Sequence, residues 1–117
     1  MHRANIVDLY ERLAAAGEQA GTIWTLKQSA ELNVNLVRFP AGSGVEEHVN
    51  EEVDVLLMGV TGSGIVDVDG LEHPLRAGAV VLISKGARRS TRSGSDDFAY
   101  LTVHRRRGPL RIGGPPQ

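Results

Sequence analysis

Between Thr22 and His104 the chain breaks into short β-prone runs, each closed by glycine or a polar turn, and this punctuation most constrains the fold. The runs fall at residues 22–28, 32–39, 53–60, 65–68, 71–75, 79–84, 88–93 and 98–104. Pro40-Ala41-Gly42-Ser43-Gly44 breaks the chain, the stretch from Gly59 to Gly64 is a turn cluster, and Asp69-Gly70 marks a hairpin. Closely spaced short strands indicate a sandwich or a barrel. No fixed-period repeat is visible, which excludes a solenoid or propeller. One segment departs from this rhythm. Ile6, Leu9, Tyr10 and Leu13 recur at three- and four-residue steps, so the N-terminus reads as a helix capped by Asn5, extended by residues 14–16 and stopped at Gly17.

Composition narrows the function classes. At 117 residues and 12.6 kDa the chain has room for one domain. Its net charge of -1 argues against a nucleic-acid binder held by phosphate neutralisation, and aromatics at 4% are too few for a base-stacking surface. The absence of cysteine excludes disulfides, thiolate catalysis and thiolate metal sites. No apolar stretch approaches the roughly 20 residues that span a bilayer. Arg3, Asp8, Glu11 and Arg12 interrupt any secretory signal, so a cytoplasmic protein with no membrane partner is expected.

Charge is segregated along the chain. Acidic residues cluster at Glu46, Glu47, Glu51, Glu52 and Asp54, and basic ones at Lys85, Arg88, Arg89, Arg92, Arg105, Arg106, Arg107 and Arg111. The glutamates read as a solvated rim, and the arginine triplet as charge that blunts a strand edge. Gly59-x-x-Gly62-x-Gly64 lacks the following Lys-Ser/Thr of a phosphate cradle, and no nucleophile elbow is present. In residues 32–39 alternation favours Leu32, Val34 and Leu36 in the core, with Asn33 and Asn35 in solvent. Trp24 reads as core or as a dimer contact.

The segment from Gly42 to Gly62 carries the informative pattern: Gly42, five residues, His48-Val49-Asn50, three residues, Asp54, an apolar run and Gly62. It resembles the first motif of the cupin superfamily, in which glycine precedes His-x-His, a glutamate and a second glycine. Gly78, five residues, Ser84-Lys85-Gly86 and then Arg89 resemble the second motif, with Arg89 where a histidine is usual. The resemblance covers roughly residues 32–104. It implies an all-β double-stranded β-helix, a jelly-roll or cupin barrel, with one N-terminal α-helix. The expected organisation is helix and linker at 1–21, barrel at 22–112 and tail at 113–117. A homodimer is expected from the same resemblance.

In a metal-binding cupin the four matched positions hold one divalent ion. Here His48 keeps an imidazole and Asp54 a shortened carboxylate, whereas Asn50 offers an amide and Arg89 no lone pair at all. No metal is therefore favoured. If one is present (Fe, Mn, Ni or Zn), its expected ligands are His48, Asp54, Asn50 and His104, serving a metal-dependent oxygenase or isomerase. A metal-free enzyme would use His48 as acid and base. The leading expectation is instead a small-molecule binder. Its barrel receives an anion such as a carboxylate, with His48, Asn50, Asp54 and Arg89 as binding residues. Arg89 pairing internally with Asp54 would merely fill the space.

Overall fold

The computed structural model describes residues 4–106. Helix α1 spans Leu9–Ala15, and nine strands follow among the described residues: β1 Gly21–Thr25, β2 Leu32–Phe39, β3 Gly44–Val49, β4 Val55–Thr61, β5 Ser63–Val68, β6 Leu71–Arg76, β7 Val80–Ile83, β8 Arg88–Ser93 and β9 Phe98–Arg105. No helix among the described residues is long and apolar enough to cross a membrane. The expected tail at 113–117 and the end of the expected barrel at 107–112 lie outside the described residues.

The helix starts later than its periodicity suggests. Asp8, not Asn5, is the N-cap: its carboxylate accepts from the amides of Tyr10 at 3.0 Å and Glu11 at 3.2 Å. Ile6 consequently stays outside the helix and is 97% exposed. Gly17 ends it with φ of 59°. At that end Arg38 of β2 gathers the carbonyls of Leu13, Gly17 and Gln19, tying the helix to the sheet.

Two antiparallel sheets make up the body. One has the order β1-β2-β9-β4-β7 and the other β3-β8-β5-β6. Both central pairings are long: β2 and β9 match from Leu32↔Arg105 to Phe39↔Phe98, and β5 and β8 from Gly64↔Ser93 to Val68↔Arg89. The hairpin expected at Asp69-Gly70 is present, joining the Val68↔Leu71 pair with φ of 52° and 85° at its two central residues. The expected edge role of the arginine triplet does not hold. Strand β9 lies inside its sheet, and Arg105 and Arg106 bind the carbonyls of Glu52 and Ser29 in flanking loops. Arg107 lies outside the described residues.

Two apolar clusters form, one on each side of the five-stranded sheet. Between the sheets, Val37, Val55, Leu57, Val66, Leu75, Ile83, Phe98 and Tyr100 are all buried. On the outer side, Leu36, Val60 and Ala99 are buried beneath Leu9 and Leu13 of α1 together with Ile23 and Trp24. Trp24 is partly buried and packs against this second cluster. Because Val37 faces the interior, Asn35 and Asn33 do so as well, by the two-residue period of the strand. The expectation that both asparagines face solvent is therefore reversed. Both faces of β2 are covered along its middle, so Leu36 finds the outer cluster, whereas Leu32 at the strand's start is 45% exposed and joins neither core.

Candidate functional site between the sheets

Two contacts fix how the sheets face one another. A Cβ added to Gly64 of β5 would come within 2.5 Å of the Phe98 ring of β9. One step along, the Thr91 hydroxyl of β8 lies 3.3 Å from that of Tyr100. Ser93, the partner of Gly64, is therefore level with Phe98, and Thr91 with Tyr100. A further two-residue step brings Arg89 of β8 to the level of Thr102 of β9.

At this end of the interior the side chains turn polar. Asn35 is 7% exposed, Thr102 0%, His104 3%, Arg89 2% and Asn50 1%. On the five-stranded sheet the polar groups are linked: Thr25 donates to Asn35 Oδ1 at 2.7 Å, and Asn35 Nδ2 donates to Asn33 Oδ1 at 2.7 Å. His104, directly opposite Asn33, donates from Nδ1 to the Arg105 carbonyl at 2.7 Å. It is a buried, hydrogen-bonded histidine.

The four-stranded sheet contributes His48 and Arg89, which face each other across β3 and β8. Strand β8 alternates cleanly, with Arg89, Thr91 and Ser93 buried and Arg88 and Arg92 exposed. Arg88 makes a surface pair with Glu47, at 3.7 Å. The Arg89 guanidinium turns toward the loop before its own strand, donating from Nε to the Ala87 carbonyl at 3.0 Å and from Nη2 to the Ser84 carbonyl at 3.1 Å. These bonds fix the plane of the fork. Arg89 places a permanent cation at this depth, where low dielectric strengthens its pull on an anion.

His48 is held in one orientation. Its Nδ1 lies 2.8 Å from the Glu46 carbonyl, which can only accept, so Nδ1 carries the proton. In the neutral ring Nε2 then presents a lone pair, and that atom is buried with no hydrogen-bond partner among the described residues. Asn50 shows the opposite polarity. Its Oδ1 accepts from the amides of Glu52 at 3.0 Å and Val53 at 3.2 Å, closing the turn after β3. Its Nδ2, a donor only, is buried without a partner among the described residues.

Asp54 stands apart from these residues. Val53 and Val55 take the buried positions on either side, Asp54 is exposed, and its carboxylate accepts from the Lys85 amide at 2.8 Å. The sequence spacing suggested an inward carboxylate. The loop between β3 and β4 instead turns it out to hold the loop before β8. Glu46, Glu47 and Glu51 are exposed too, as expected of a rim, whereas Glu52 is partly buried.

The residues present do not fit a metal ion. Among the described residues no three His, Asp or Glu side chains form a group able to hold one. A permanent cation stands opposite the best nitrogen donor, and the matched carboxylate points away.

A sandwich of these two sheets, with a polar end built from β2, β9, β3 and β8, has the cupin fold. No family model matches the sequence, and no curated protein does. Solved structures do. The protein TT1209 from Thermus thermophilus superposes with a TM-score of 0.76 at 24% identity, covering 88% of this chain and 98% of its own. The cupin protein BF4112 from Bacteroides fragilis gives 0.60 at 22% identity, covering 80% of this chain and 94% of its own. KdgF from Halomonas sp. gives 0.68 at 17% identity, with 74% and 78% covered. These likenesses establish the fold.

Proposed function

We propose that this chain binds a small anionic molecule between its two sheets, without a metal ion. The observation that carries the reading is the buried Arg89 guanidinium standing opposite His48, two residues before a buried Asn50 whose Nδ2 has no hydrogen-bond partner among the described residues. The Arg89 hydrogen bonds to Ala87 and Ser84 orient the guanidinium as a fixed cation. A carboxylate or phosphate is drawn by that charge and accepts from Asn50 Nδ2. Asn33, Asn35 and Thr102 extend the polar wall on the facing sheet. Asp54 plays no part in contacting the ligand; it shapes the rim through Lys85.

The test is a thermal-shift and calorimetric screen of carboxylates and sugar phosphates against the full chain and Arg89→Met. Members of the panel should stabilise the native protein and leave the variant unmoved. A panel with no effect on the native protein, or with the same effect on both, refutes the reading. So does one equivalent of transition metal bound through His48.

A further inference from the structure

We infer that the anion is a hydroxycarboxylate, a small acid carrying a hydroxyl one or two carbons from its carboxylate. This rests on the binding reading above and concerns the second polar group of the ligand. The polar groups at the site differ in sign. Asn50 Nδ2 donates and Arg89 is cationic, so both favour acceptor oxygens. His48 Nε2 does the reverse, because the Glu46 carbonyl has fixed the proton on Nδ1.

A simple carboxylate satisfies the first demand and leaves the imidazole lone pair buried and dry. A phosphate monoester dianion brings three terminal oxygens and no proton for Nε2, while inorganic phosphate keeps a single P–OH and serves as the competing probe. A hydroxyl supplies the missing donor. Distance limits how far it can stand from the acid group. His48 and Arg89 are a directly opposed cross-strand pair, for which Cβ atoms are about 5 Å apart. One small molecule, a few heavy atoms long, reaches both. A site built to bond a hydroxyl rejects the analogue lacking it, because its own buried group is left unpaired.

The experiment is calorimetric titration of the full chain with three matched pairs: glycolate and acetate, lactate and propionate, malate and succinate, with inorganic phosphate as a further probe. At least one hydroxy acid should bind at least tenfold tighter than its deoxy partner and than phosphate. In His48→Phe that preference should vanish, while His48→Gln, which retains an acceptor oxygen, should keep part of it. A His48→Phe protein that fails to unfold cooperatively is replaced by His48→Leu. Equal binding of both members of every pair overturns the hydroxyl requirement and leaves the anion reading intact, as expected if a water fills the place. Tightest binding by phosphate overturns the carboxylate. Failure of every probe to bind overturns this inference, and if the wider panel above also fails, the anion reading falls with it.

Discussion

His48 and Arg89 sit directly opposite one another on β3 and β8, an imidazole and a guanidinium as a cross-strand pair facing the interior. Each is oriented by backbone close to it in sequence. His48 is turned by the Glu46 carbonyl, and Arg89 by those of Ser84 and Ala87. The pair therefore sets a lone pair on one strand beside a cation on the next.

The Arg89 fork also closes the loop between β7 and β8. In Arg89→Met two carbonyls lose their donor, so the variant should be less stable by about 1–3 kcal/mol in urea unfolding. Lysine should not restore the loss, because a single ammonium cannot reproduce a planar fork reaching two carbonyls. Full recovery of stability in Arg89→Lys would show that charge alone matters at this position.

The same pair predicts a gain of function. Replacing Arg89 by histidine removes the cation and sets two imidazoles across from each other, at a separation suited to one ion. Arg89→His should bind Ni²⁺ or Zn²⁺ at least tenfold tighter than the native chain, measured by calorimetry. Elemental analysis of native protein purified without a metal-chelating tag should find well under one equivalent of any transition metal. Equal affinity in the two proteins would show that Arg89 is not what excludes the ion.

Where local pattern has a single explanation, the sequence speaks clearly. Arg89 is inward because β8 alternates without interruption, and Asp69-Gly70 forms a turn because its backbone needs two positive φ angles. Pattern fails where two explanations compete. Strand β2 is apolar toward α1 and again toward the interior, so hydrophobicity could not say which face held Asn33 and Asn35. Strand β3 carries Glu46 and Glu47 and a shift of register between Val45 and His48, so it lacks the alternation that identifies a strand. Motif spacing put Asp54 inside because it counts residues and not the turn that Asn50 builds. In sequence that turn is a lone asparagine, and its two amide acceptances arise only from the path of the folded backbone.

Asn50 thus has two separable tasks. Asn50→Ala removes the acceptor for the amides of Glu52 and the buried Val53, and should cost about 1–3 kcal/mol. Asn50→Asp keeps that acceptor and should recover most of the loss. It exchanges the inward donor for a second oxygen, so anion binding should disappear while the fold survives. Urea unfolding and calorimetry on the two variants check both halves. Anion affinity retained in Asn50→Asp would remove this amide from the site.

Tyr100 links the apolar and polar parts of the interior, and its titration gives the fold an alkaline limit. Burial pushes its hydroxyl up from 10.0 to about 12, opposed weakly by the hydrogen bond with Thr91. The native state therefore keeps this proton over a range in which the unfolded chain has lost it. The Tyr100 contribution is constant below pH 10, then falls as the pH rises toward 12, by about 1.4 kcal/mol per unit and roughly 3 kcal/mol in all. Tyr100→Phe loses only one long hydrogen bond and should lack this part of the alkaline decline. Urea midpoints measured from pH 9 to 12 should diverge above pH 10, the variant ending more stable relative to the native chain than it began. Parallel curves would mean that the Tyr100 hydroxyl ionises as readily folded as unfolded.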